Sequence, residues 1–363
     1  MEEVRPGHYV LVQDLKGRRS FVQASSKGKI KVARQFIPAA SLVGLRYGVL
    51  YEQDGGTVSP AAPSDVGAFT GEVTGDNRSL VDDNKAQALS AEEIKTMKDT
   101  FGGRKVIEEL VNNSATFATK TQLSKEKYLR KKKAQHLCEF TLFRTSAFHI
   151  AETLFEQRKC VRPDLLANMI TLANLNYAAK VLVVEDLKGV ITGVCLQRCW
   201  EPVTALVTGE KAKLPFLQYF NLTPEEKSRL KCVKFEELSG SFSSLLLVTS
   251  LHPKSTLEAL LPFLRPSAQV VIHSYTGQFL AECEQWLIRA GLCIDVRIED
   301  FMTRKYQVLP SRTHPVMSSG GHGGYLLSCI AVAHKVDDLP AQSMELEEPQ
   351  AEAGSAEEGK EDD

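Results

Sequence analysis

The sequence predicts an α/β protein whose mostly parallel sheet is preceded by a small β domain and a basic helical linker. Three observations carry this. Apolar runs at Val181-Leu182-Val183-Val184, Leu245-Leu246-Leu247-Val248 and Val270-Val271-Ile272 alternate with helical stretches, the pattern of parallel strands buried on both faces. Residues 5–51 instead read as short strands separated by Gly and turn residues. Between the two lies a strongly cationic stretch with helical character, Lys120 to Lys133.

In the first region the strands are expected at Tyr9–Val12, Ser20–Gln23, Lys29–Val32 and Tyr47–Tyr51, a spacing that suits a small barrel of the OB type. Such barrels bind RNA, and they also serve only for packing or dimer contact; the residues leave both open. Residues 52–88, with Asp54-Gly55-Gly56 and Ser59-Pro60-Ala61-Ala62-Pro63, read as a flexible loop that completes an N-terminal unit of residues 1–88.

The linker, residues 89–137, opens with Ser90-Ala91-Glu92-Glu93, a capping box in which Ser and Glu satisfy free N–H groups at a helix start. A second helix is expected from Arg104, with Val106, Ile107, Leu110 and Val111 on its buried face. In the third, Arg130, Lys131, Lys132 and Lys133 are consecutive. Steps of about 100° around a helix keep them from sharing one buried face, so some meet solvent or phosphate.

Residues 138–336 are expected to form the α/β domain. Strands are expected at Val203–Val207, Ser244–Thr249, Ala268–His273, Cys293–Ile298 and Gly324–Val332, with helices over Ser255–Leu264 and Phe279–Ala290, the latter stopped by Gly291. The last two strands, joined by a long loop, are expected to be an antiparallel pair closing the sheet. Residues 337–363 carry eleven acids and one lysine, a net −10, so the rest of a chain whose total is −1 carries +9. This tail cannot bury enough apolar surface to order itself. It is either a solubilising appendage or a mimic that competes with nucleic acid for the basic body.

No apolar run reaches membrane-spanning length and the start, Met1-Glu2-Glu3, lacks a signal-peptide pattern, so a soluble intracellular protein without membrane contact is expected. Eight cysteines without a CxxC pair read as reduced, mostly buried thiols, and no metal site is expected.

The turn after Val181–Glu185 is where a cofactor loop belongs. A nucleotide there needs glycines, because a Cβ blocks the close approach of backbone to ligand. Counted from Glu185, the three glycine positions hold Leu187, Gly189 and Ile191. The outline is a degenerate Rossmann-like methyltransferase fold with an occluded site, and neither catalytic nor cofactor-binding residues are expected in it. Glu210, after the next strand, is spaced to hold ribose hydroxyls or is an ordinary loop acid. An active RNA adenine methyltransferase of this type carries Asp-x-Pro at the next core strand end; here Ser250-Leu251-His252-Pro253 stands instead. His252 and His273 follow strands and are bases by residue type, with strand-end packing the simpler role. Ser318-Ser319-Gly320-Gly321-His322-Gly323-Gly324 precedes a strand, not a helix, and so reads as a tight connection at a subunit contact, not a phosphate loop.

The basic segment reads as a solvated helical face, a nuclear-import signal or an RNA contact. For RNA, the expected contacts are Lys120, Lys125, Lys127, Arg130, Lys131, Lys132 and Lys133 on phosphates, with Tyr128 stacking on an unpaired base. No base-reading motif is present, so recognition by shape and backbone is expected.

Thr121 through Lys133, Asp76-Asn77-Arg78 with Asp82-Asp83, Tyr306-Gln307-Val308-Leu309-Pro310 with Thr313-His314-Pro315, and Gly323 through Ser328 closely resemble the non-catalytic subunit of eukaryotic tRNA adenine N1-methyltransferase. The likeness runs over about residues 5–335. It implies a catalytic partner subunit that binds S-adenosylmethionine and methylates a T-loop adenine of tRNA, a two-plus-two heterotetramer, a nuclear location, and a tRNA-holding role for this chain without a cofactor of its own. Two readings of other classes stay beside it: an autonomous methyltransferase using Glu185 and Glu210, and a pure assembly factor.

Overall fold

The computed structural model describes residues 2–25, 27–32, 35–54, 57–61, 89–114, 116–118, 120–207, 214–308, 313–317 and 321–332. Glu210, the Asp76 to Asp83 motif residues, the loop over residues 62–88 and the acidic tail over 337–363 lie outside the described residues. The chain divides into two compact units, Met1–Thr145 and Ser146–Asp363.

The first unit runs β1 (Tyr9–Asp14), β2 (Arg19–Gln23), β3 (Lys29–Val32), β4 (Gln35–Pro38), β5 (Leu50–Asp54), β6 (Thr57–Pro60), α1 (Ala91–Asn112), α2 (Gln122–His136) and β7 (Glu139–Arg144). Its main sheet is antiparallel in the order β2-β1-β7-β5-β6, and β3 and β4 form a separate hairpin. Val10, Val12, Phe140 and Leu142 from the sheet and Val32 and Ile37 from the hairpin bury together in one core.

Two expectations need correction here. Ser59-Pro60, read as loop, ends β6, where Tyr51 pairs with Pro60; proline is tolerated because the strand is at the sheet edge. Residues 138–145, assigned to the α/β domain, belong to the first unit. Their alternating burial suits β7 to the centre of the N-terminal sheet, where Leu142 pairs with Val12 and Phe140 with Tyr51. The two linker helices are thus an insertion between strands of a single sheet.

Ser90 forms the expected capping box with Glu93 at the start of α1. The helix breaks at Gly102, whose φ of 79° and ψ of 170° are open to glycine and strained for other residues. Beyond the break Ile107 packs with Phe117, Leu129 and Leu137, fastening α1 to α2.

The second unit contains α3 (Ala147–Glu156), α4 (Pro163–Leu172), β8 (Val181–Glu185), α5 (Val190–Arg198), β9 (Val203–Leu206), α6 (Pro224–Ser228), β10 (Leu230–Val233), β11 (Phe242–Val248), α7 (Pro253–Leu260), β12 (Leu264–Ser274), α8 (Gly277–Arg289), β13 (Cys293–Asp300), β14 (Tyr306–Gln307), β15 (His314–Pro315) and β16 (Tyr325–Ala331). The helix expected over Ser255–Leu264 stops at Leu260 because Pro262 has no N–H to continue it; Leu261–Phe263 forms a 3-10 turn and Leu264 opens β12.

The seven-stranded sheet has the order β10-β9-β8-β11-β12-β16-β13. The first five strands are parallel. β16 is antiparallel to both β12 and β13, the closing pair expected from the sequence. Alternate residues of each strand point to opposite faces. Leu182, Leu245, Leu247, Val270 and Ile272 meet Leu257 and Leu260 of α7 and Leu280 and Leu287 of α8. On the other face the Ser244 hydroxyl donates to the Ala173 carbonyl at the end of α4, 2.8 Å away. The strand order reverses between β8 and β11, which puts the switch-point crevice at the ends of Glu185 and Val248.

Candidate functional site

At that crevice, Glu185 leaves β8 and turns back on α5. Its carboxylate accepts from the Ile191 and Thr192 backbone N–H groups at 3.1 and 2.8 Å and from the Thr192 hydroxyl at 2.5 Å. These amides would otherwise be the anion-binding end of the helix. Burial pushes the Glu185 carboxyl above the usual range, opposed by the bonds from Thr192 and Ile191.

The chain after β9 closes the crevice from the other side. Lys188 and Gly189 take left-handed φ values of 57° and 102°. The Phe216 N–H donates to the Lys188 carbonyl at 3.1 Å. A Cβ on Gly189 would lie 3.0 Å from that of Leu214, and one on Gly193 would lie 2.5 Å from the Phe220 ring. The third glycine position, Ile191, is buried in the core. A nucleoside belongs between these two walls, and they are bonded directly to each other. The residues present do not fit S-adenosylmethionine.

The end of β11 is likewise tied down. Asp186 accepts from the Ser250 N–H at 2.6 Å, the Ser250 hydroxyl at 2.8 Å and the Thr249 hydroxyl at 3.0 Å. The segment standing in for the Asp-x-Pro motif is held as structure. His252 begins α7, with its ring edge-on to Phe279 at 5.3 Å and its Nε2 3.8 Å from Glu282.

His273 is 4% exposed, and its Nε2 is 2.8 Å from the Gly323 carbonyl. Burial lowers its pKa, the hydrogen bond to Gly323 opposing the effect. A Cβ on Gly323 would meet Leu165 at 2.5 Å, and one on Gly324 would meet His273 Nε2 at 2.5 Å. These glycines are required by close packing within the unit. Among the sulfhydryls, burial pushes Cys160 and Cys283 up to about 12 and Cys199 up to about 11, which makes them poor nucleophiles; Cys232 alone is exposed among the described cysteines.

The basic segment is a helix capped by Thr121, and its periodicity separates the cations. Lys127, Arg130, Lys131 and Ala134, at i, i+3, i+4 and i+7, line one groove of about 950 Å³ together with the β1–β2 turn. That turn is built on Asp14, whose carboxylate accepts from the Lys16 and Arg18 backbone N–H groups, both at 2.9 Å, and from the Arg18 side chain at 2.7 Å. Gly17 completes the turn at a φ of 78°. Lys16 is thereby added to the groove, a contact across the fold with no signal in local sequence. Four cations face one acid that is already paired, so the groove attracts anions.

The opposite face of α2 packs. Leu129 is buried, and Tyr128 donates its hydroxyl to the Leu110 carbonyl at 3.3 Å while its ring lies 5.4 Å from that of Phe117. The Lys120 and Lys132 ammonium groups sit 5.1 and 5.4 Å from the Tyr128 ring centre, and Lys125 sits 5.9 Å from that of Phe117. Burial, and secondarily Lys131, lowers the Lys132 pKa. Tyr128, expected to offer a free face to a base, is instead enclosed by its own helix pair. Lys133 lies near Glu139, where it favours the ionised form of a carboxyl that burial and Glu52 push up. The eight residues expected at one RNA contact thus fall on at least two sides of the helix.

Comparison with known proteins places the chain. The Gcd10p family profile matches residues 3–241. The chain belongs to the Gcd10p family. Among curated relatives of this Gcd10p chain, the tRNA (adenine(58)-N(1))-methyltransferase non-catalytic subunit TRM6 of Mus musculus is 24% identical over 424 residues, covering 86% of this chain and 85% of the relative. The trm6 protein of Dictyostelium discoideum, with the same description, is 24% identical over 408 residues, covering 89% and 78%. Among solved structures, a SAM-dependent O-methyltransferase from Thermotoga maritima matches with a TM-score of 0.56 at 14% identity over 92% of this chain and 96% of the other. The tRNA (m1A58) methyltransferase TrmI from Aquifex aeolicus gives 0.54 at 14% identity over 92% of this Gcd10p chain and all of the other. These two matches establish a methyltransferase fold with its N-terminal β domain.

Proposed function

We propose that this chain is the non-catalytic, tRNA-binding subunit of a tRNA (adenine-58-N1)-methyltransferase. The observation that carries the reading is the closed crevice: a complete methyltransferase sheet in which the Phe216 to Lys188 bond and the Glu185 cap take the space and donors a nucleoside needs. The names of the Gcd10p-family relatives agree with it. A catalytic partner then supplies the S-adenosylmethionine site, in a complex of two copies of each chain, and this subunit contributes the cationic groove of Lys16, Lys127, Arg130 and Lys131 to the RNA. The basic run Arg130 to Lys133 supports nuclear residence. Among the described residues no helix is long and apolar enough to cross a membrane.

Reconstitution tests the proposal. Methyl transfer to a tRNA transcript is expected from the mixture of this chain with its catalytic partner and not from this chain alone, and the complex is expected to bind tRNA more tightly than the partner by itself. Equal tRNA affinity with and without this chain would reduce it to an assembly factor, and methylation by this chain alone would overturn the proposal.

A further inference from the structure

Residues 15–51 contain eight Lys and Arg and no Asp or Glu, which accounts for nearly all of the +9 carried outside the acidic tail. Most of these cations lie far in sequence from α2, and the β3–β4 hairpin presents two of them in a particular arrangement. Its register pairs Lys31 with Phe36 and Lys29 with Pro38, so these four side chains share one face. The opposite face is the anchored one: Val32 and Ile37 are buried in the core and Ile30 packs against it. All four residues of the outer face are exposed, and Phe36 is 62% exposed.

Among the described residues neither Lys29 nor Lys31 has an ion-pair partner and Phe36 has no ring partner. Tyr177, at 65% the one described aromatic more exposed than Phe36, is by contrast stacked on Trp200 at 5.3 Å. A paired strand therefore holds an uncovered phenyl ring directly opposite a free lysine. Protein–protein contacts are depleted in lysine around their apolar centres. Nucleic acid selects for this combination, because a base stacks on the ring while the flanking phosphates meet the ammonium groups.

We infer that the outer face of the β3–β4 hairpin is a second RNA contact, at which Phe36 stacks on an unpaired base and Lys29 and Lys31 meet the adjoining phosphates. The inference rests on the reading of this chain as a tRNA-binding subunit and adds to it a base-stacking residue outside α2. Phe36 takes the role that Tyr128, enclosed between Phe117 and two lysines, is not free to play.

The test is equilibrium binding of a tRNA transcript and, separately, of heparin, a polyanion without bases, to the full chain in complex with its catalytic partner. F36A is expected to weaken tRNA binding by about five-fold or more. Its salt slope and heparin affinity are expected to stay unchanged. F36W is expected to restore affinity and to add fluorescence quenching by tRNA that heparin does not cause. The double variant K29A/K31A is expected to lower the salt slope by about 1.4, two single-strand phosphate contacts. Since Phe36 faces solvent, these variants are expected to fold. Wild-type tRNA affinity in F36A, or equal losses for tRNA and heparin, would overturn the stacking site and leave the tRNA-binding function standing. A wild-type complex whose tRNA affinity is that of the partner alone would overturn both.

Discussion

The backbone N–H of Phe216 donates to the carbonyl oxygen of Lys188 across 3.1 Å, joining the two walls between which a methyltransferase of this fold would hold its nucleoside. The closure has three layers: this bond, the fit of Leu214 against Gly189 and Phe220 against Gly193, and the return of Glu185 onto the first amides of α5. Loss of glycines at Leu187 and Ile191 removes one requirement for a cofactor. Occupation of the space by the chain after β9 removes another.

Glu185 and His273 give pH dependences of opposite sign. Burial raises the Glu185 pKa, so the folded state holds its proton more tightly than the unfolded chain does, and stability falls as pH rises from the unfolded carboxyl value through the folded one. The stability of wild type relative to E185Q is therefore expected to increase on acidification through that window. A difference flat in pH, measured by denaturant titration of both proteins, would contradict the assignment.

Burial lowers the His273 pKa, so the unfolded chain binds the proton more tightly and stability is lost as pH falls below about 6.5 toward the folded value. H273N is expected to lose part of this acid sensitivity while being less stable at neutral pH by about 1–2 kcal/mol, the scale of one buried hydrogen bond. Thermal melts at pH 5 and pH 8 decide it.

Gly324 has a φ of +87° and no room for a Cβ beside His273 Nε2. G324A is expected to cost about 1–3 kcal/mol through strain and displacement of the His273 ring. Unfolding midpoints measure it; an unchanged midpoint would show that the loop relaxes freely.

The two faces of α2 are expected to behave differently toward RNA. Alanine at Lys127, Arg130 and Lys131 should lower the slope of log affinity against log salt by about 0.7 to 0.9 for each phosphate no longer neutralised. Alanine at Lys132 should change tRNA affinity far less, since that ammonium lies on the Tyr128 ring. Similar slopes for both sets would place the RNA elsewhere.

Sequence reasoning reached the α/β sheet because β8 and β11 are apolar on both faces, a signal local to each strand. The antiparallel closing pair was legible for a different reason, the long loop that joins the last two strands. The placement of β7 was not legible, since Glu139–Arg144 alternates as an edge of either unit would, and only pairing with Val12 and Tyr51 decides. The missing glycines at the cofactor turn could be read residue by residue, but the segment that fills the crevice arrives from beyond β9 by tertiary packing. In α2 the charges were visible, while their separation into a packed side and a groove side depends on Phe117 and on Lys16, both outside the helix. No strand is expected from the sequence over Gln35–Pro38, so the face that Phe36 shares with Lys31 follows only from the register of the hairpin.

The central claim is that this chain keeps the methyltransferase fold without a cofactor site. Titration calorimetry of S-adenosylmethionine into the purified chain without its partner tests it most directly. The account predicts no saturable heat from the folded chain. Saturable binding with one site per chain, abolished by E185A, would mean that the Phe216–Lys188 closure opens in solution, and would contradict it.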